Sequence, residues 1–176
     1  MNRLTLIVAA AITASGCGYA LAGRGSFLPA DIKVVGIPLL DNRTNVARVE
    51  QMMTEKIRKE FIDRGKYEIV YTTSGVDAVL SGAIIGIANQ PVGLTEQQQA
   101  SRYLFTVMMR VQFTDSRNGQ VLWSNEALTF REEYDLKTRS NGQLDGAVLL
   151  EQEGPAFERL ASDLARTVVT AILEAF

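Results

Sequence analysis

The 176-residue chain has no histidine and a single cysteine, Cys17. These two scarcities exclude much chemistry. Ser-His-Asp and Cys-His catalysis need an imidazole, zinc centres draw on histidine or several cysteines, and an intramolecular disulfide needs a second thiol. An excess of basic charge is also missing, since 18 basic residues face 20 acidic ones for a net charge of −2. Neutralising phosphate dominates nucleic-acid binding, so this balance argues against a general nucleic-acid binder. Neither G-x-x-x-x-G-K nor G-x-G-x-x-G occurs among the 14 glycines, which removes the phosphate-cradling loops. Carboxylate, lysine or tyrosine chemistry survives these cuts. The acidic cluster Glu132-Glu133-Asp135 is its best candidate for a hydrolase, but neighbouring strand residues point to opposite faces and share no cleft. The pattern points away from an enzyme.

What is present begins with an address. Asn2-Arg3 is followed by the uncharged apolar run Leu4–Ile12, then by Thr13, Ala14, Ser15 and Gly16 before Cys17. A basic start, a short apolar core and a small-residue cleavage site describe a secretory signal peptide. The run is too short for a hydrocarbon core that needs about 20 apolar residues. Ala14-Ser15-Gly16-Cys17 resembles a bacterial lipobox, which implies cleavage after residue 16 and acylation of Cys17. Each buried methylene is worth about 0.8 kcal/mol, so two or more acyl chains anchor a protein stably. By the same resemblance, Gly18 after the cysteine favours the outer membrane over the inner one. Removing residues 1–16 takes away Arg3 alone among charged residues and moves the net charge from −2 to −3. The expected organisation is a signal peptide over 1–16, a lipidated tether over 17–30 and a single domain over 31–176.

Within that domain the hydrophobic period changes several times. Ile32, Val34, Val35 and Ile37, stopped by Pro38, predict a first strand. Thr44 or Asn45 is placed to cap a helix in which Val46, Val49, Met53, Ile57 and Phe61 form one apolar stripe, ending at Gly65. Tyr67–Tyr71 alternates as a strand. Ala78–Ile87 reads as a long apolar strand whose Gly82 and Gly86 suggest a bulge or a close backbone approach. A polar loop over Asn89–Ser101 follows, and then a strand over Arg102–Phe113. Asp115-Ser116-Arg117-Asn118-Gly119 is a hairpin turn, and the returning strand slips its alternation between Trp123 and Leu128, a sign of a bulge. Residues 132–153, with a turn at Ser140-Asn141-Gly142, carry no clear period. Pro155 suits the first turn of a last helix, striped by Phe157, Leu160, Leu164, Val168 and Ile172. The predicted class is α+β: two helices packed on one face of a mixed, mostly antiparallel sheet of four to five strands, in the order β-α-β-β-β-β-α.

Arg102, Arg110, Arg117, Arg131, Lys137 and Arg139 fall on strands, strand ends and turns of this plan. A guanidinium binds phosphate with two parallel hydrogen bonds, so Arg102, Arg117 and the Lys137–Arg139 pair are candidates for holding an anionic lipid head. The alternative for each is plain solubilising charge.

Several motifs taken together resemble one family. Cys17-Gly18-Tyr19-x-Leu21-x-Gly23, Leu28-Pro29, Ile37-Pro38, Asn42-x-Thr44, a helix containing Glu50, and Asp77-Ala78-Val79-Leu80-Ser81-Gly82 are similar to the LptE family of lipopolysaccharide-assembly lipoproteins. Ala20 departs from the histidine often found there, and residues 132–153 match no motif of the family. The resemblance implies a non-enzymatic outer-membrane lipoprotein, with no cofactor beyond its covalent lipid, that plugs an LptD-like β-barrel and contacts lipopolysaccharide. Gln97-Gln98-Gln99, Thr106 and Gln112 suit a polar barrel lumen. An auxiliary lipoprotein of a lipid-transporting ABC system is the alternative from another class.

Overall fold

The computed structural model describes residues 28–64, 66–94, 100–135 and 146–176. The signal peptide, Cys17 and its tether up to residue 27, Gly65, Gln97-Gln98-Gln99, Lys137, Arg139 and the Ser140-Asn141-Gly142 turn lie outside them. The elements are β1 (Val34–Gly36), β2 (Asp41–Asn42), α1 (Val49–Asp63), β3 (Glu68–Val70), β4 (Ala78–Leu94), β5 (Ala100–Asp115), β6 (Val121–Asp135) and α2 (Gly146–Leu173). They build one six-stranded sheet in the order β3-β1-β4-β5-β6, with the two-residue β2 also paired to β4. The short strands β1, β2 and β3 pair in parallel, and the long β4, β5 and β6 in antiparallel. The α+β class and the mixed sheet agree with the sequence reading. The sheet has six strands rather than four to five because β2 gives β4 a second short parallel partner.

Both helices lie on one face of this sheet. Val49, Met53, Ile57 and Phe61 of α1 are buried, as the stripe predicts, and α2 buries Leu160, Leu164, Val168 and Ile172. Below them sit Leu80, Ile84, Val107, Met109, Val111 and Phe113 from the long strands. Phe105 meets Phe157 of α2 edge to face at 5.2 Å. Leu28 is 4% exposed and belongs to this core, so the packed body starts inside the stretch read as tether. Its N–H donates to the Tyr67 hydroxyl at 3.1 Å.

Four local expectations need correction. The helix begins at Val49, not Val46, and neither Thr44 nor Asn45 caps it. Its N-cap is Arg48 at φ 67°, with no side-chain cap. Thr44 is engaged one step earlier: its N–H and hydroxyl donate to Asn42 Oδ1 at 2.9 and 2.8 Å, while Asn42 Nδ2 donates to Glu50 at 2.8 Å. The strand β4 runs on to Leu94 through the stretch read as loop. Pro91 is tolerated there because β2 covers β4 only as far as Ile84, so beyond it, among the described residues, the side of β4 away from β5 is an open edge where no N–H is required. Finally, α2 starts at Gly146, so Pro155 is interior rather than in the first turn. Gly154 before it carries no β-carbon to clash with the proline ring, which softens the break.

Two bulges are where they were read, while the shifts at Pro91/Gly93, Gly93/Leu94 and Phe113/Thr114 were not foreseen. On β6 the register passes from Asn125 opposite Val111 to Leu128 opposite Met109, one residue more than β5 spends. On β4 the extra residue lies between Ile84 and Gly86. Gly82 is a close approach, since a β-carbon there would come within 2.6 Å of the Arg110 carbonyl.

Candidate functional site

The helices pack on one face only, and among the described residues the other face of β4, β5 and β6 is left uncovered. Because side chains alternate along a strand, the register places Ser81, Gln112 and Ser124 in one row on that face. Gly86, Met108 and Thr129 make a second row, and Gln90, Leu104 and Glu133 a third. Arg110 lies between the first two rows, in a groove of about 350 Å³ lined also by Pro38, Leu39, Asp41, Gln112 and Glu126. A second cleft, about 510 Å³ and mostly apolar, opens where the start of α1 meets α2, between Val46, Met52, Ile87, Phe105 and Phe157.

The sequence-predicted arginines lie at opposite ends of β5, and both are held by carboxylates. Arg102 donates to Asp135 at 2.9 Å and lies 3.8 Å from Glu133. The hydrogen bond to Asp135 raises its pKa. Arg117 bridges two acids, Asp115 at 2.5 Å and Asp31. The acidic cluster divides as the pleat requires. Glu133 and Asp135 share the bare face with Arg102, whereas Glu132 accepts from Arg159 of α2 at 2.9 Å. Among the described residues no group of acids, cysteines or histidines is arranged to hold a metal ion.

Sequence reasoning missed Asp31 and Asp115 as the partners of Arg117. It also missed the role of Asp77, whose Oδ2 accepts the N–H groups of Val34 and Lys33, each at 2.8 Å. A signal for Asp77 existed, since few charges interrupt the apolar stretch around it. None existed for Asp31, which is remote from Arg117 in sequence.

These contacts set an acid limit. The Arg117 side-chain hydrogen bond, then the Arg117 backbone N–H, pull Asp115 from 3.8 down to about 2. The backbone N–H groups of Val34 and Lys33 also lower Asp77. A carboxylate with a depressed folded pKa contributes stability that is complete above its unfolded value and is lost as pH falls through the folded one. The urea midpoint is therefore expected to drop between about pH 4 and about pH 2, and Arg117→Ala should flatten that drop relative to the parent. Parallel curves for the two proteins would refute the coupling.

A family model described as LptE, lipopolysaccharide-assembly, matches residues 32–172. The chain belongs to this family. No curated protein matches it. Among solved structures, a protein from Xanthomonas campestris is similar at TM-score 0.55 and 13% identity, over 82% of this chain and 85% of that one. Lipoprotein B of Nitrosomonas europaea is similar at TM-score 0.53 and 13% identity, over 87% and 88%. The PelC dodecamer of Paraburkholderia phytofirmans is similar at TM-score 0.50 and 17% identity, over 86% and 94%. At such identities the likeness is one of fold. Among the described residues of this LptE-family chain, no helix is long and apolar enough to cross a membrane.

Proposed function

We propose that this protein is an outer-membrane lipoprotein, acylated on Cys17, that plugs and partners an LptD-like β-barrel and assists lipopolysaccharide assembly by binding rather than catalysis. The observation that carries this reading is the family match over residues 32–172. The bare sheet face is consistent with it, because a barrel lumen is polar and asks for hydrogen-bonding side chains rather than a wide apolar patch. Contacts of Lys137 and Arg139 with lipopolysaccharide phosphate belong to the same proposal. Arg102 and Arg117 would join them only by leaving their carboxylates.

The test is affinity purification of the tagged, full-length chain from membranes. It is expected to recover a large outer-membrane barrel in near-equal amount, and depletion of the chain is expected to leave that barrel unassembled. Recovery without a barrel overturns the reading. Anchoring is checked separately by mass spectrometry. The parent chain should start at Cys17 and carry two or more acyl chains, while Cys17→Ser should retain its first sixteen residues and carry none. An unmodified parent thiol would remove the lipid from the account.

A further inference from the structure

Charge in this protein is mostly satisfied within the fold, as Arg117, Arg102 and Arg159 show. On the bare face of β4, β5 and β6, Arg110 and Arg131 depart from that habit, although Arg102 keeps it. Arg110 is half-buried on β5, yet among the described residues its side chain makes no hydrogen bond or ion pair, although Asp41 and Glu126 line the same groove. Arg131, exposed on β6 and on the same face, also has no partner among the described residues. A guanidinium carries five donors in a fixed fork, and those of Arg110 are open to solvent, since no buried side-chain nitrogen among the described residues lacks a partner. Beside it, Met108 lies flat over Gly86, where a β-carbon would come within 2.5 Å of its Cε, and remains 40% exposed.

Three occupants can be compared. A lipid phosphate meets one cation and two carboxylates in the groove, a net charge of −1 that repels it. Hydrocarbon finds only scattered apolar side chains between serines, threonines and glutamine. A protein wall of polar side chains can supply a carboxylate to Arg110 and donors to Asp41 and Glu126. The size also fits. Three strands of about 15 residues, at ~3.3 Å per residue and ~4.8 Å spacing, present roughly 700 Å², close to the ~800 Å² per partner of a stable interface.

We infer that the bare face of β4, β5 and β6 is the surface that seats against the inner wall of the barrel, with a carboxylate of that wall engaging Arg110. The inference rests on the barrel reading above and goes beyond it by naming the face and the contact. It is tested in the full-length lipidated chain in its own membrane, with a photoreactive residue placed singly at Ser81, Ser124 or Thr129 on the bare face. Gln51, Glu55 and Arg166 on the outer sides of the helices serve as the comparison set. Adducts identified by mass as the barrel are expected at least about tenfold more often from the first set. Arg110→Glu should cut barrel recovery by about tenfold or more with an unchanged unfolding midpoint, and Arg110→Lys should retain most of it. Barrel adducts from the helix set alone, or bare-face adducts to lipopolysaccharide or to a second copy alone, overturn the inference and leave the barrel reading standing. No barrel recovered with the parent chain removes the reading itself, and the inference falls with it.

Discussion

Phe61→Ala is expected to cost about 3–5 kcal/mol of unfolding free energy, in line with truncating a fully buried aromatic side chain. Phe61 is 0% exposed on the last turn of α1. It meets Tyr67 edge to face at 6.4 Å and 79°, and the Tyr67 hydroxyl in turn accepts the Leu28 N–H. Removing the ring therefore leaves a cavity and loosens the joint between α1, the start of β3 and the N-terminal segment. A domain of this size holds only about 5–15 kcal/mol in total, so roughly a fifth or more of its stability is at stake. Urea unfolding followed by circular dichroism should show a much lower midpoint with a similar slope. Phe61→Leu, which refills most of the volume, should cost far less. Losses equal in the two variants would mean that the site collapses freely and that the ring is not the joint.

The stripe containing Phe61 was legible because a helix writes its buried face at local spacing. The start of that helix was not. Thr44 and Asn45 have the right chemistry for a cap, but Asn42 claims Thr44 and reaches Glu50, so the chain enters the helix later, through Arg48. The same limit applies to β4. Pro91 and the polar residues around it read as a loop, and only the short reach of β2 along β4 reveals an edge that accepts a proline. The β6 bulge could be read because it interrupts a two-residue alternation. The parallel pairing of β1 with β3 and β4 could not, since it joins segments with no shared local pattern.

The site was legible in one respect only. Arg102 and Arg117 were correctly placed at opposite ends of a strand, while Asp135 and Asp31, two of their carboxylate partners, lie at sequence distances that no spacing rule covers: Arg102 and Asp135 are 33 residues apart. Several residues that carried the family resemblance turn out to hold the framework. Asn42, Thr44 and Glu50 tie β2 to α1, Pro29 accepts the Ile32 N–H at 2.9 Å, and Asp77 fastens the start of β1. Such residues mark the fold, whereas the bare face that the fold presents is spread over three strands as ordinary serine, threonine, glutamine and arginine. Its coherence exists only in the register.

Gly36→Ala tests how tightly that framework is closed. Gly36 lies on β1 between Val70 of β3 and Val79 of β4. A β-carbon there would come within 2.3 Å of the Thr72 carbonyl oxygen and 3.2 Å of Val76 Cγ2. The first obstacle is backbone, so relief requires the chain leaving β3 to move rather than a side chain to turn. Overpacking of this kind typically costs about 1–3 kcal/mol and sometimes more, and the upper end is expected because three parallel strands share the strain. Gly75→Ala provides the contrast. It has nothing within 4 Å but sits at φ +74°, so only the left-handed penalty of about 1–2 kcal/mol applies. Urea midpoints should fall in the order parent, Gly75→Ala, Gly36→Ala. Hydrogen exchange at Val34, Val35, Ile69 and Val70 should quicken in Gly36→Ala alone. A Gly36→Ala protein as stable as Gly75→Ala would show that the strand exit at Thr72 yields easily and that the β3–β1–β4 seam is not closed at this point.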